Sequence, residues 1–247
     1  MKLKIEITIP VLNEAESLAQ QIRKIHLFIC EYLQDIGQIK IIIADNGSTD
    51  RTPDEAKKLT KKLNGVEIEY IRIEQRGVGR ALKNSWSRSN SDIVGYMDLD
   101  LATDLIYIRP ALELLATKKF EIITGSRLLE NSRVIGRKPL RNFASLSLNY
   151  LLKKIFDSSF SDAMCGFKFI NRRILPSLMR NGARSDGWFF AAEILLVADF
   201  LKYRIYDMPI KWTDDVNSKV KTIKLSIEYL RAIFILKCFF NKLNIKK

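Results

Sequence analysis

The chain has 247 residues, 47% of them apolar, and a formal charge of +13, which allows a substantial core and points to anionic partners. Cys30, Cys165 and Cys238 are far apart and lack metal-ligand spacing, which argues against a disulfide framework or zinc site, and His26, the only histidine, sits in a helical pattern, which argues against histidine-dependent catalysis. The basic residues are dispersed without the interleaved aromatics of an RNA-binding signature, so no nucleic acid partner is expected.

Met1-Lys2-Leu3-Lys4 runs directly into an apolar segment without a signal-peptide pattern, and the expected location is cytoplasmic. Apolar runs at 5–9, 39–44, 66–73, 93–97 and 120–124 read as strands, each separated from the next by a helical stretch. This alternation predicts an α/β fold with a mostly parallel central sheet in three α/β/α layers, its functional loops at the strand ends. After Arg127 the pattern predicts a long helix over 139–156, a short strand near 165–170, a helix after Trp188 and a basic amphipathic helix at the C-terminus. We expect residues 1–220 to form the catalytic domain and 221–247 a C-terminal helix belonging to it. The late apolar run 232–240 is interrupted by Lys237 and is far shorter than the roughly 20 residues of a membrane span, so any membrane contact should be peripheral.

The strand ends carry the polar residues. Pro10 stops the first ladder, and Asn13 or Glu14 is placed to open the following helix. After the second strand, Gly47 permits a tight turn and Ser48 to Asp50 can cap the next helix, while Asp45 can equally accept hydrogen bonds from a base or ribose. Arg76-Gly77-Val78-Gly79 opens a helix and could offer N–H groups and arginine to phosphate, although the lack of a third glycine argues against a dinucleotide dehydrogenase. Asp98-Leu99-Asp100 follows the fourth strand. Residues two apart on extended chain point the same way, so the pair suits a hard cation carrying a diphosphate, while a solvated turn is the plainer alternative.

Taken in order, Ile9-Pro10 through Asn13-Glu14, Asp45 through Asp50, Arg76-Gly77-x-Gly79-x-Ala81 and Asp98-x-Asp100 resemble the family 2 glycosyltransferases of GT-A fold. Gly125-Ser126-Arg127, Arg141-Asn142-x-x-Ser145, Asp162-x-x-Cys165-Gly166-Phe167-Lys168, Gly187-Trp188 to Glu193 and Trp212-Thr213 to Ser218-Lys219 resemble the members that load a sugar onto a polyprenyl phosphate. The dolichyl-phosphate glucosyltransferase branch is the nearer match, the mannosyltransferase branch the second. The resemblance implies a nucleotide-sugar site of Pro10, Asn13, Glu14, Asp45, Ser48, Asp50, Arg76, Gly77, Gly79, Asp98 and Leu99. It implies an Mg2+ or Mn2+ site at Asp98 and Asp100, and catalytic roles for Asp98, Asp100, Arg127 and Arg141. The acceptor phosphate would lie on Arg127, Arg141, Ser145, Ser218 and Lys219. Asn46 and Ala191 depart from the pattern, each standing where relatives often carry Asp, and the N-terminal membrane anchor common in eukaryotic members is not seen.

Arg141 and Ser145 are four apart on a predicted helix and so share a face, and a guanidinium with a hydroxyl suits a phosphomonoester. The expected reaction is metal-dependent, inverting transfer of a hexose, glucose from UDP-glucose in the first reading and mannose from a GDP-mannose type donor in the second. The acceptor would be a polyprenyl phosphate at the cytosolic membrane face. Segments 140–156 and 223–240 combine apolar residues with Lys153, Lys154, Arg231, Lys237 and Lys242, as membrane-surface or core-packing helices would. A membrane-protein partner or homo-oligomer is compatible with this reading. The alternative of another class is a nucleotide-sugar or anionic-lipid binding module without catalysis.

Overall fold

The computed structural model describes residues 2–63, 65–214 and 222–244, without the side chains of 61–63, 222–226 and 244. In chain order the elements are β1 (Leu3–Val11), α1 (Leu18–Tyr32), β2 (Gly37–Asp45), α2 (Thr52–Leu59), β3 (Lys61–Leu63), β4 (Val66–Arg72), α3 (Val78–Arg88) and β5 (Ile93–Met97). They continue with α4 (Ile108–Ala116), β6 (Ile122–Ser126), β7 (Arg133–Ile135), α5 (Pro139–Phe156), β8 (Phe167–Asn171), α6 (Leu175–Arg180), α7 (Phe190–Phe200), β9 (Ile205–Pro209), β10 (Lys211–Thr213) and α8 (Thr222–Asn244).

Eight strands form one sheet in the order β3-β4-β2-β1-β5-β8-β6-β9, and β7 pairs with β10 in a separate ribbon. The parallel ladders β1–β2, β1–β5, β2–β4 and β6–β9 set the carboxyl ends of six strands along one edge. Strand β8 runs antiparallel between β5 and β6, with Met97 opposite Phe167, so the segment leading into β8 arrives at that same edge. The antiparallel direction of β8 and the short strands β3, β7, β9 and β10 were not evident from apolar periodicity, because runs of three to five residues carry little of it.

Side-chain alternation assigns the two faces. Ile5, Ile7, Ile9 and Val11 of β1 enter the core beneath α1, α2 and α4, while Glu6 and Thr8 point towards α3. There Ser85 donates to Glu6 (2.7 Å) and the Trp86 indole N–H to Thr8 (3.2 Å), which fixes α3 against the sheet. Leu18, Ile22, Ile25, His26 and Ile29 form the buried stripe of α1, so His26 is a core residue of that helix. Helix α7 is buried throughout from Phe190 to Ala198 and anchors the second core with α3 and α6. The predicted helix over 139–156 is α5, beginning with Pro139 at its first position, where the missing N–H costs nothing. Helix α8 inserts Ile233, Leu236 and Phe240 into the second core. Its Lys237 ammonium donates to the Ile155 carbonyl (2.7 Å), and Phe240 stacks on Phe200 at a ring separation of 4.1 Å.

Candidate active site

The two carboxylates lie where β5 reaches the strand-end edge. Leu101 adopts φ 55°, its N–H bonds the Asp98 carbonyl (3.3 Å), and the Ala102 N–H bonds the Asp100 carboxylate (3.0 Å), so a tight left-handed turn presents both aspartates. Asp98 is half-buried and Asp100 exposed. Burial first, and then the neighbouring charge of Asp100, push the Asp98 carboxyl up to about 7, against the opposing pull of Arg127 and Lys168. Two mutually repelling carboxylates form an oxygen donor set that fits a hard divalent cation, with other oxygens completing its coordination. Gly166 makes room for this arrangement: a Cβ there would lie 1.8 Å from the Asp98 Oδ2. The Asp98 N–H meanwhile bonds the Gly166 carbonyl (3.2 Å).

On one side of the pair, the loops after β1 and β2 are joined by side-chain-to-backbone hydrogen bonds. Asn13 sits at φ 57°, its N–H bonds Ser48 Oγ (2.9 Å), and its side-chain oxygen accepts from the Thr49 N–H (2.8 Å). Glu14 N–H bonds Thr52 Oγ1 (2.8 Å) and Ala15 N–H bonds Asp50 (3.2 Å). The helix-capping expectation holds at Asp50, whose carboxylate accepts from the N–H of Thr52 at the start of α2 (2.9 Å), and is corrected for Asn13 and Ser48, which link the two loops instead. Asp45 is fully buried and accepts from Ser48 N–H (2.8 Å) and Tyr70 OH (3.0 Å), with Arg72 3.6 Å away. Pro10 is buried, Glu14 is half-buried and accepts from Ser17 Oγ (2.8 Å), and Leu99 is buried beneath the carboxylates.

Asn46 has a structural task that an ionised aspartate could not perform. Its amide donates to the Val11 carbonyl (2.7 Å) and accepts from the Gly77 N–H (3.2 Å), tying β1 to the turn before α3. The reading of Gly77 and Gly79 as an open phosphate cradle is likewise corrected. The Gly79 and Arg80 N–H groups already bond the carbonyls of Gly187 (3.3 Å) and Asp186 (3.1 Å). A Cβ at Gly77 or Gly79 would meet the Asp186 or Ser185 carbonyl oxygen at 2.3 or 2.4 Å, so the two glycines allow this loop to dock. Arg76 alone of this motif offers an exposed cationic side chain.

The other side of the pair is charged. Arg127 follows β6 and clamps Asp162 with two parallel bonds, 2.7 Å from Nε and 2.9 Å from Nη2, while its guanidinium lies 4.8 Å from the Trp212 ring centre. Asp162 is fully buried and Arg127 nearly so, and the guanidinium holds the Asp162 carboxyl below its ordinary range against the cost of burial. Arg141 on α5 bonds both oxygens of Asp214 (3.1 and 3.3 Å). Ser145 lies one turn further along α5 and is buried, so the shared helix face is present. Ser218 and Lys219 lie outside the described residues. Lys168, wholly buried in β8, donates to the carbonyls of Ala163 (3.1 Å) and Cys165 (2.6 Å) and so shapes the segment that carries Gly166. Burial and Asp162 push the Cys165 thiol up to about 12, which removes it as a nucleophile. A cavity of about 640 Å³ opens around Lys4, Gly37 and Val66, at the amino ends of the strands and opposite the carboxylates.

The family model for glycosyl transferase family 2 matches residues 6–178. The chain belongs to this family. It is 26% identical over 222 residues to the glycosyltransferase AglD of Haloferax volcanii, covering 90% of this chain and 35% of that protein. It is 28% identical over 218 residues to the dolichyl-phosphate beta-glucosyltransferase of Saccharomyces cerevisiae, covering 80% of this chain and 64% of that protein. The chain thus spans between about a third and just under two thirds of the length of these curated relatives. Its fold matches that of glucosyl-3-phosphoglycerate synthase from Mycobacterium tuberculosis, solved with Mn2+, uridine diphosphate glucose and phosphoglyceric acid. The TM-score is 0.69 at 16% identity, over 97% of this chain and 80% of the other.

Within this family 2 framework, several side chains around the carboxylates had no site role on sequence grounds. Lys168 carried a usable signal, as a lysine inside the apolar strand Phe167-Lys168-Phe169-Ile170. Asp162 and Gly166 belonged to a recognised motif, but only the folded chain shows one holding Arg127 and the other making room for Asp98. Trp212 likewise stood in a recognised motif without a role of its own, and Arg137 gave no local signal, because a cation in a basic stretch is an ordinary feature.

Proposed function

We propose that this chain transfers a hexose, glucose from UDP-glucose, to the phosphate of a polyprenyl phosphate, with inversion at the anomeric carbon. The observation that carries the reading is the juxtaposition at one sheet edge of the Asp98–Asp100 pair and the arginine-rich Arg127–Arg141 side. A phosphomonoester bears roughly 1.5 to 2 negative charges near neutrality and is already a nucleophile, so the reaction asks for alignment and charge and needs no histidine base. An acceptor phosphate oxygen forms the new bond to the anomeric carbon as the bond to the nucleoside diphosphate oxygen breaks. Arg127 and Arg141, held in place by Asp162 and Asp214, orient the acceptor, with Ser145 on the same face of α5. The half-buried Asp98 and exposed Asp100 would hold Mg2+ or Mn2+, whose positive charge would stabilise the departing diphosphate. Asp45, Pro10 and Glu14 would line the nucleoside pocket, and Arg76 would face the phosphates.

Support comes from the two named relatives and from the metal and uridine nucleotide bound by the fold neighbour. The packing of α8 supports treating 221–247 as an extension of the catalytic unit 1–220. Membrane docking falls to α5 and α8. Among the described residues no helix is long and apolar enough to cross a membrane. Yet Leu140, Phe143, Leu146 and Tyr150 stand out from α5, and Ile227, Leu230 and Phe234 from α8, with Lys153 and Lys154 beside them; Phe143 and Phe234 are each 69% exposed. Apolar faces flanked by lysines suit a peripheral position on an anionic cytosolic leaflet.

The test is a membrane assay with labelled UDP-glucose and GDP-mannose, a panel of polyprenyl phosphates, and EDTA as a control. Metal-dependent transfer from UDP-glucose is expected. Asp98→Ala or Asp100→Ala should lower it by about 10²- to 10³-fold, the scale of losing one dedicated electrostatic group, with the thermal midpoint retained. Undiminished turnover would refute the metal assignment, and transfer from GDP-mannose alone would replace the donor.

A further inference from the structure

Five buried side-chain nitrogen or oxygen atoms lack a hydrogen-bond partner among the described residues, and their distribution is uneven. Two are acceptor oxygens, one of Gln21 in α1 and one of Asp207, whose other oxygen accepts from Ser161 beside Asp162. The other three, Arg137 Nη1, Trp212 Nε1 and Thr103 Oγ1, can all donate, and all belong to the segments around Arg127. Trp212 lies against the Arg127 guanidinium, and its backbone bridges Thr103, which sets their side chains on one face of the ribbon. Arg137 donates through Nη2 to the Arg141 carbonyl (3.4 Å); burial and then Arg127 and Arg141 disfavour its charge, against the opposing pull of Asp162 and Asp214.

The charge arrangement separates the three arginines. Arg127 has Asp162 and Arg141 has Asp214, whereas no carboxylate bonds Arg137 among the described residues. A buried guanidinium nitrogen without an acceptor costs more than a neutral donor in the same position, and a concentration of donors calls for a ligand made of acceptors. We propose that Arg137 is a specificity-determining residue, its Nη1 binding a terminal oxygen of a phosphomonoester with the Trp212 indole N–H donating beside it. This deepens the proposed function by naming the group that selects a dianionic acceptor over an alcohol, and it rests on that reading only for the lipid attached to the phosphate. Arg127 and Arg141 then act as a frame paired to Asp162 and Asp214, and Arg137 supplies a positive charge that no carboxylate bonds among the described residues.

The full chain is titrated calorimetrically with citronellyl phosphate, with inorganic phosphate and, separately, with UDP in the presence of Mn2+. Arg137→Gln is expected to weaken binding of both phosphate probes by about tenfold or more, the factor given by losing one charge-assisted hydrogen bond, while UDP binding and the thermal midpoint stay unchanged. Arg137→Lys should restore part of the loss. Trp212→Phe, which keeps an aromatic ring beneath Arg127 but removes the N–H, should weaken both probes about threefold or more. A wild-type chain that binds inorganic phosphate but not citronellyl phosphate would retire the lipid acceptor and leave Arg137 assigned, with the Arg137→Gln loss still read on phosphate. Unchanged phosphate affinity in Arg137→Gln, an equal loss of UDP binding, or no binding of either phosphate probe by the wild-type chain would overturn the inference.

Discussion

The two sides of the Asp98–Asp100 pair are built by different physics. On the side of β1 and β2, Asn13, Ser48, Asp50 and Thr52 link two loops through side-chain-to-backbone bonds of 2.8–3.2 Å, and Asn46 ties in the turn before α3. On the side of β6 and α5, one buried and one half-buried ion pair hold the frame, and three buried donor atoms lack partners among the described residues. The first side is nearly complete in itself, whereas the second concentrates positive charge and leaves donors without partners among the described residues. A loop network made of many small bonds should degrade gradually, and a frame resting on a few buried charges should fail abruptly.

The largest expected effect breaks the charged side. Asp162→Ala leaves the Arg127 guanidinium nearly buried without its carboxylate and should destabilise the fold by about 3–5 kcal/mol, read by chemical denaturation. A loss below 1 kcal/mol would mean that water or another residue takes over the pairing. A smaller effect is expected from Asn46→Ala. It leaves the Gly77 N–H without its partner, while the Val11 carbonyl keeps the Asn46 N–H (3.0 Å), so about 1–3 kcal/mol should be lost by the same measurement.

The smallest effect sharpens the comparison through a buried carboxylate on the loop-network side. Glu193 accepts from the N–H groups of Arg184 (2.9 Å) and Ser185 (2.7 Å) and from Ser185 Oγ, and so anchors the loop on which Gly77 and Gly79 dock. Burial raises its pKa, against the pull of those hydrogen bonds, so its protonated form is favoured in the folded state. Its contribution to stability is fully present below the unfolded pKa near 4.5 and is lost as pH rises through the folded value. Glu193→Gln should therefore match the wild type in thermal midpoint below pH 4 and exceed it slightly at pH 7–8. A variant less stable at neutral pH would show that the ionised carboxylate is itself required.

Much of the framework was legible beforehand because its signals are local. The strand runs at 5–9, 39–44 and 93–97 lie within β1, β2 and β5, and the helix predicted over 139–156 has the bounds of α5. The Asp-x-Asp turn was legible as a candidate because an apolar run followed by two acidic residues is a local pattern. Asp50 caps α2 as its chemistry suggests, but Asn13 and Ser48 were misread as caps: only the proximity of two loops separated by more than thirty residues of chain made them, together with Asp50, cross-links. The glycines of Arg76-Gly77-Val78-Gly79 were misread for the same reason, since the carbonyls that take the N–H groups of Gly79 and Arg80 come from a segment about a hundred residues later.

By itself, the amino-acid sequence determined the layered α/β class, the strand-end position of Asp98 and Asp100, and the cationic character of the residues after Arg127. Periodicity and residue type depend on neighbours within a few positions, and these features need nothing more. Tertiary structure alone decided which charges neutralise one another. Asp162 and Asp214 reach Arg127 and Arg141 from 35 and 73 positions away, because antiparallel β8 returns one segment to the strand-end edge and the β7–β10 ribbon brings the other. Arg137, one cation among several in the sequence, is distinguished from Arg127 and Arg141 only by which carboxylates the fold delivered to its neighbours.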